Sequence, residues 1–337
     1  MKQSFCAIAN RESGEDLIGT ASHYQTYVLI ECPTPWAAKA FESEQIPDAL
    51  RRYVKAVKAK RAVQFLLVSK GRKTLRASNK ASGIRLMVYE KFPPVDGTVE
   101  KYRGYEFEID GLERVETCLE AHWQGDRLGK TITQKDVLIC THGMRDRCCA
   151  RFGQPLFKNA LRRAKQGRLP NVRLWKVSHI GGHRFAPTAI TLPDGRYYGR
   201  LTLSALEAVI NRSGSARQIQ SIYRGWGMLP TPLQILERQL LIQYGWAWFD
   251  KVLTVRVLSS SGDELLVEVS VGSAAKQSST EPFRPTTYRA KLVQDAHSQV
   301  CTKVSCGSAI AKPIVKYRVD ECVQMAIAPV RAAVVEP

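Results

Sequence analysis

Thiol and imidazole side chains are concentrated in two short stretches of the sequence, "LICTHGMRDRCCARFGQPL" and "WKVSHIGGHRFAP". Together the stretches place three cysteines and three histidines within 44 of the 337 residues: Cys140, His142, Cys148, Cys149, His179 and His183. Such side chains bind soft and borderline metals, carry redox chemistry and act as nucleophiles. The stretches therefore predict a metal site, a redox thiol site or a nucleophile with its base, against the alternative of ordinary core cysteines.

The spacing of these residues fits four chemistries to different degrees. A zinc site matches His179-x3-His183, but seven or eight residues separate the cysteines, where zinc sites use two to four. A thiol–disulfide site lacks a Cys-x-x-Cys motif, and adjacent cysteines such as Cys148 and Cys149 bridge only with strain. A phosphatase-type thiolate needs an arginine at a longer spacing from its cysteine, whereas Arg145 comes only five residues after Cys140. An iron–sulfur cluster with mixed ligands accommodates wide spacing, because the cluster itself spans two metals.

The cysteines are predicted at the end of a strand and near the start of a helix. "KDVLIC" is typical of a short buried strand that ends at Cys140, and a loop then delivers Cys148 and Cys149. A helix is predicted over 154–167, with Pro155 in its first turn. Ligands collect at the carboxyl ends of strands in open α/β sheets, and thiolates are favoured near helix N-termini.

The histidines follow the next predicted strand, "VRLWKVS" (172–178). His179 comes directly after this strand and His183 lies in the loop beyond it. Two glycines between the histidines disfavour a helix and permit a tight turn that aims both imidazoles at one point. Two cysteines and two histidines from adjacent strand ends would then form a four-ligand pocket.

Two blocks of the sequence repeat one predicted order of elements, a βαβ unit followed by a β-hairpin and a helix. This order is thioredoxin-like, so we predict an α/β fold with two thioredoxin-like units in tandem and a small all-β appendage. The predicted domains are an N-terminal thioredoxin-like domain (1–130), a second thioredoxin-like domain with the site (131–215), a Trp-rich connector and helix (216–250) and the C-terminal β appendage (251–337). Three cysteines of the appendage are expected to be half-buried strand residues: Cys301, Cys306 and Cys322.

The charge balance favours an acidic partner. Fifty Lys and Arg against thirty-one Asp and Glu give a net charge of +19. The basic residues are spread along the whole chain, and the sequence lacks a recognised nucleic-acid-binding motif. An acidic protein is therefore the expected partner, and nucleic acid is not.

Other features of the sequence predict a cytoplasmic protein. No window approaches 18 consecutive apolar residues, so no membrane span is expected. The stretch "MKQSFCAIANRESGEDL" does not resemble a secretory signal. Nine cysteines are an odd number, which argues against a disulfide framework and for a reducing compartment.

"CTHGMRDRCC" followed by "WKVSHIGGHRFAPTAITLPDGRYYGRL" resembles the sucrase/ferredoxin-like family, which includes thioredoxin-like ferredoxins with a bis-histidinyl 2Fe–2S cluster. The resemblance is strong over about residues 135–212. It implies a cluster held by two cysteines with eight residues between them and by the two histidines of His-x3-His: Cys140, Cys149, His179 and His183. Cys148 is the alternative to Cys149, which we favour on spacing.

The resemblance implies an electron-transfer protein, with a role in redox homeostasis. Imidazole ligands raise the reduction potential above that of an all-cysteine cluster. The Arg-Asp pair of the family corresponds to Arg145 and Asp146, and Arg145 and Arg184 are candidates for tuning the potential or docking a partner. A salt bridge to Asp146 is an equally good account of Arg145. His142 is expected beside the ligands rather than among them. The expected partner is an acidic flavodoxin, ferredoxin or reductase.

Two other functions stay open from the sequence. One is a zinc-binding Cys2His2 module with a basic surface for nucleic acid or protein, and the other is a thiol-redox enzyme that uses Cys148 or Cys149. Sucrose hydrolysis is not supported, because it needs two facing carboxylates. The acids of the motif are Asp146 and Asp194, and Asp194 lies in a Pro-Asp-Gly turn. We therefore expect a redox carrier rather than a hydrolase.

Overall fold

A 10-stranded mixed sheet and a 5-stranded antiparallel sheet organise the chain. The computed structural model describes residues 5–71, 83–92, 97–126, 128–273, 285–308 and 310–325. Within these ranges helices pack on the faces of the larger sheet, so the mixed α/β class predicted from the sequence is confirmed. No helix in the same ranges is long and apolar enough to cross a membrane.

The helices and strands have the following bounds. The α-helices are α1 (Cys6–Glu12), α2 (Asp48–Lys60), α3 (Val115–Gln124), α4 (Arg147–Lys165), α5 (Leu203–Asn211) and α6 (Thr231–Tyr244). The strands of the larger sheet are β1 (Thr26–Glu31), β2 (Val63–Ser69), β3 (Ile84–Glu90), β5 (Arg103–Ile109), β6 (Lys130–Thr131), β7 (Lys135–Cys140), β8 (Val172–Val177), β9 (Ala189–Leu192), β10 (Arg196–Tyr198) and β11 (Tyr223–Trp226). Those of the smaller sheet are β4 (Thr98–Val99), β12 (Lys251–Ser261), β13 (Glu264–Ser273), β14 (Thr286–Thr302) and β15 (Lys312–Gln324). Short 3-10 helices lie at Ala40–Glu42, Leu112–Arg114, His183–Phe185, Ala216–Ser221 and Gly245–Asp250.

Two halves of the larger sheet repeat one pattern of strand pairing. In the first half, β1 is parallel to β2 and antiparallel to β3, and β3 pairs with β5. In the second half, β7 is parallel to β8 and antiparallel to β9, and β9 pairs with β10. Helix α2 connects β1 to β2 and helix α4 connects β7 to β8. The halves join where β2 and β8 run antiparallel, with Val68 opposite Val177, and they form one continuous sheet.

Helix α4 begins well before the predicted start, and this difference matters for the site. The expected start near Pro155 was wrong, because the helix begins at Arg147 and Pro155 lies inside it. The carboxylate of Asp146 accepts the N–H of Cys148 at 2.9 Å, which satisfies one of the free donors of the first turn. A capping aspartate sets the start more strongly than a proline that a first turn merely tolerates. The two adjacent cysteines therefore lie in the first turn of α4 and not in the loop before it.

Further differences concern the strands after residue 215. The stretches "TTYRAKLV" and "QVCTKVSC", predicted as separate strands, contribute to one strand of 17 residues, β14, because it pairs along both edges with β13 and β15. Cys301 lies on this strand and is exposed, whereas Cys306 lies in the loop after it, so the prediction of Cys306 as a strand residue was wrong.

Strand β11, inside the predicted connector, pairs with β10 and extends the larger sheet. The domain boundaries given above stay a prediction, and residues 274–284 and 326–337 of the appendage lie outside the described ranges.

Candidate metal centre

Three of the four predicted ligands meet at the carboxyl ends of β7 and β8. Cys140 is the last residue of β7, Cys149 lies in the first turn of α4, and His179 follows β8. Their ligand atoms all lie within 4.8 Å of one another, and Cys149 Sγ is 3.8 Å from His179 Nδ1. Both cysteines are only 1 % exposed, whereas His179 is half-buried. The site is therefore a buried pair of sulfur atoms with an imidazole on its outer side.

The fourth predicted ligand, His183, lies beside His179. Their rings stack with centroids 4.9 Å apart and planes inclined by 28°. His183 Nε2 donates a hydrogen bond to the carbonyl oxygen of Val304, in the loop after β14, so Nδ1 carries the free lone pair. That Nδ1 is buried, lies 3.6 Å from the Asp146 carboxylate and has no hydrogen-bond partner among the described residues. Buried polar atoms are rarely left unpaired, and a metal-bound imidazole commonly donates its other N–H to a carbonyl, so this ring fits a metal ligand.

Two glycines let the backbone segments of the site approach closely. A Cβ atom on Gly153 would lie 2.0 Å from the carbonyl oxygen of Cys140, so only glycine lets α4 pack against the end of β7. Gly182 has a φ of +70°, and a Cβ there would lie 2.6 Å from the guanidinium of Arg224. Arg224 in turn donates to the carbonyl oxygen of Gly181 at 3.1 Å. A buried arginine thus stabilises the tight turn predicted between the histidines.

The two buried thiols affect each other's protonation. A hydrogen bond from the Cys149 thiol lowers the pKa of Cys140 well below its ordinary value, and the ring of His179 adds to this effect. The same contact raises the pKa of Cys149, together with burial and the charge of Cys140. A metal bound by both sulfur atoms would displace the protons of the thiols.

His142 supports His179 from the interior. Its Nδ1 accepts the backbone N–H of His179 at 3.2 Å, and its Nε2 donates to the carbonyl oxygen of Ala37 at 2.7 Å. The ring is 3 % exposed and packs edge-to-face on Trp36. Burial lowers the pKa of His142, which agrees with a neutral ring whose Nδ1 acts as an acceptor. The structure thus places His142 next to the predicted ligands, where it positions the backbone of His179.

The other residues singled out from the sequence have different surroundings. Arg145 is exposed and makes no ion pair with Asp146 in the described part of the chain. Asp146 is buried and also accepts the backbone N–H of Cys306 at 3.0 Å. Arg184 makes two hydrogen bonds to the buried carboxylate of Glu15, both 2.8 Å long. Arg184 therefore takes part in an internal ion pair next to His183.

Cys148 points away from Cys140. Its Sγ lies 3.4 Å from Cys6 Sγ and 3.2 Å from Cys306 Sγ, and a hydrogen bond from the Cys6 thiol lowers the pKa of Cys148 to about 7. No motif in the sequence predicts this second group of thiols. The partners of Cys148 are 142 and 158 positions away in the chain. The only sign of them in the sequence is that each is a cysteine outside any motif.

Comparisons with known proteins give one family and a small set of relatives. A family model described as sucrase/ferredoxin-like matches residues 17–225. The protein called "Altered inheritance of mitochondria protein 32" from Meyerozyma guilliermondii is 26 % identical over 171 residues, which cover 48 % of this chain and 56 % of that protein. The proteins of the same name from Clavispora lusitaniae and Debaryomyces hansenii are 33 % identical over 104 residues (29 % of this chain, 38 % of that protein) and 27 % identical over 95 residues (26 % and 34 %). The chain therefore spans about half or less of the length of these relatives. Comparison with solved structures gave no match.

Proposed function

This chain belongs to the sucrase/ferredoxin-like family, and we propose that it is an electron-transfer protein with a 2Fe–2S cluster on Cys140, Cys149, His179 and His183. One observation carries the proposal. Two buried thiols and an imidazole have their ligand atoms within 4.8 Å of one another. A second imidazole stacks at 4.9 Å, and its Nδ1 has no hydrogen-bond partner in the described part of the chain. When bound, such a cluster takes up and releases one electron, at a potential that imidazole ligands raise.

The pocket has a buried inner side and a more exposed outer side. Cys140 and Cys149 form the inner side and are 1 % exposed, whereas the side chain of His183 is 15 % exposed. The imidazoles are therefore the groups that a partner protein or a solvent proton reaches first. The hydrogen bond from His183 to Val304 keeps the proton on Nε2 and leaves Nδ1 as the ligand atom.

We assign the two halves of the larger sheet to thioredoxin-like units. The assignment is supported by the strand order, β5-β3-β1-β2 in the first half and β10-β9-β7-β8 in the second. Each half thus consists of a parallel βαβ unit and an antiparallel hairpin added beside its first strand. In this proposal the second unit carries the cluster and the first serves as a scaffold.

An acidic redox protein, such as a flavodoxin, a ferredoxin or a reductase, is the proposed partner. Three exposed arginines and the 67 % exposed Met144 surround the segment that leads to Cys149. The arginines of this basic rim are Arg145, Arg147 and Arg151. Opposite charge steers encounter, and an exposed apolar side chain supplies contact area. The cytoplasm is the proposed location, and the name of the relatives, which refers to the inheritance of mitochondria, makes mitochondria the second location to test.

Metal analysis of anaerobically purified full-length protein tests the proposal. We expect about two irons and two sulfides per chain, and their loss in Cys140→Ser. The matched control is Cys118→Ser, which removes a half-buried thiol on α3, in the other half of the sheet, and should keep the iron. A colourless protein after iron–sulfide reconstitution, or zinc in place of iron in this pocket, would contradict the proposal.

A further inference from the structure

Three cysteines from distant segments converge at a second point. Cys6 begins α1, Cys148 lies in the first turn of α4, and Cys306 lies in the loop after β14. The sulfur of Cys148 is 3.4 Å from that of Cys6 and 3.2 Å from that of Cys306, and the Cys6 and Cys306 sulfurs are 3.6 Å apart. None of the three forms a disulfide within the described residues. We refer to these residues as the thiol triad.

The separations within the thiol triad suit a single tetrahedral ion. Zinc–sulfur bonds of about 2.3 Å with tetrahedral angles place neighbouring sulfurs about 3.8 Å apart. The observed distances of 3.2 to 3.6 Å require an expansion of only a few tenths of an ångström. Three sulfurs this close to one another can all bind the same ion.

A carboxylate completes the set of ligands. The ligand atoms of Asp146 and of the thiol triad all lie within 4.8 Å of one another. Asp146 is held in place by the N–H of Cys148 at 2.9 Å and the N–H of Cys306 at 3.0 Å, and each carboxylate oxygen keeps a lone pair. The N–H of Ala7 points to the Cys148 sulfur at 3.5 Å, which favours a thiolate there. Four preorganised protein ligands without an open position are typical of a structural zinc site.

We propose that Cys6, Cys148, Cys306 and Asp146 bind one Zn²⁺, separately from the pocket of Cys140. The ion would fasten α1 and the loop after β14 to the first turn of α4. Helix α1 has seven residues, too few for a stable isolated helix. Its apolar contacts form only a small cluster apart from the main cores. A metal clip supplies the stability that this packing lacks, because structural zinc binding contributes directly to folding.

Separate zinc and iron analyses of the full-length protein test this site independently of the proposed function. We expect about one zinc per chain, lost in Cys6→Ser and in Cys306→Ser, while iron stays at its wild-type level. Cys140→Ser should lose iron and keep zinc. Cys322→Ser, which removes a half-buried thiol of the same appendage, should keep both metals.

Three outcomes would overturn the zinc site: zinc retained in Cys306→Ser, iron-loaded wild type without zinc, or a disulfide between two triad cysteines in protein purified with a reductant. Cobalt(II) titration of the Cys140→Ser variant adds a readout that leaves the thiol triad unmutated. The expected result is the intense spectrum of tetrahedral cobalt–thiolate coordination, displaced by an equivalent of zinc. Its absence would also overturn the site.

Discussion

Cys148 and Cys149 are neighbours in the chain, yet their sulfur atoms belong to different clusters. The Cys149 sulfur lies with Cys140 and His179, and the Cys148 sulfur lies with Cys6 and Cys306. The cause is helical geometry, because successive residues of an α-helix point about 100° apart around its axis. The start of α4 at Arg147, which Asp146 caps, therefore determines which cysteine reaches which cluster.

The two cysteines should respond differently to the same substitution. We expect Cys149→Ser to lose the iron and keep zinc, because it removes one of the two thiolates in the pocket of Cys140. Cys148→Ser should keep the iron and lose zinc. Mass spectrometric metal analysis of the two purified variants checks this, and loss of iron from Cys148→Ser alone would reverse the assignment of the ligand.

Gly153→Ala should disturb the pocket of Cys140. The added methyl would meet the carbonyl oxygen of Cys140 at 2.0 Å, so α4 must move away from β7. We expect a loss of about 1–3 kcal/mol in the free energy of unfolding, as for other overpacked sites, together with a lower iron content. Urea unfolding and iron analysis measure both effects.

The control for this substitution is Gly111→Ala. Gly111 has extended backbone, and its Cβ would meet only the carboxylate end of the exposed Glu113. Its free energy of unfolding should stay close to that of the wild type. Equal losses in the two variants would show that close packing at Gly153 is not what holds the pocket.

Glu15→Gln should destabilise the fold in a pH-dependent manner. Glu15 is fully buried and pairs with the half-buried Arg184 at 2.8 Å and the buried Lys316 at 3.3 Å, so neutralising it removes the carboxylate that both cations share. We expect a loss of about 3–5 kcal/mol at pH 7 by urea unfolding. Glu12→Gln, at an exposed position nearby, should have little effect.

The pH dependence follows from the pKa of Glu15. Burial alone would raise this pKa, but the hydrogen bonds and charge of Arg184, with the charge of Lys316, lower it overall. A carboxyl whose pKa is lower in the folded state stabilises the fold above its unfolded pKa of about 4.3, and this contribution is lost as the pH falls through the folded value. The difference in stability between wild type and Glu15→Gln should therefore shrink below about pH 4. A constant difference down to pH 3 would contradict the assignment.

Charge reversal on the basic rim should slow association with an acidic partner. We expect Arg145→Glu with Arg151→Glu to reduce the association rate with an acidic flavodoxin about tenfold at low salt, and to weaken its salt dependence. Arg52→Glu with Lys55→Glu changes the net charge equally at exposed positions on α2. Stopped-flow kinetics distinguishes the two cases, and equal slowing in both would mean that only the total charge of the protein matters.

Much of the fold could be predicted from local patterns. The helical spacing of Leu50, Tyr53, Val54 and Val57 predicts the buried face of α2, which the structure confirms. Strand pairing is harder to predict from the sequence. Strand β11, for example, has only four residues and joins the sheet through its contacts with β10. The start of α4 was missed because a capping residue acts through a hydrogen bond that composition does not reveal.

The candidate site could be predicted only where its residues share strand ends. Cys140, Cys149 and His179 come from consecutive elements of one βαβ unit, so parallel pairing brings them together. Cys6 and Cys306 lie in segments that no local pattern connects to Cys148. Their convergence depends on how α1 and the smaller sheet pack, which is a tertiary property.

Pulsed EPR of the reduced protein tests directly whether histidines bind the cluster, because it detects nitrogen bound to the paramagnetic cluster. The wild type should show couplings from two histidine nitrogens. His183→Cys should keep a 2Fe–2S signal, lose one of the couplings and have a lower reduction potential, since a thiolate replaces an imidazole. A reduced wild-type protein without nitrogen couplings, or a His183→Cys variant with both couplings intact, would contradict ligation by His179 and His183.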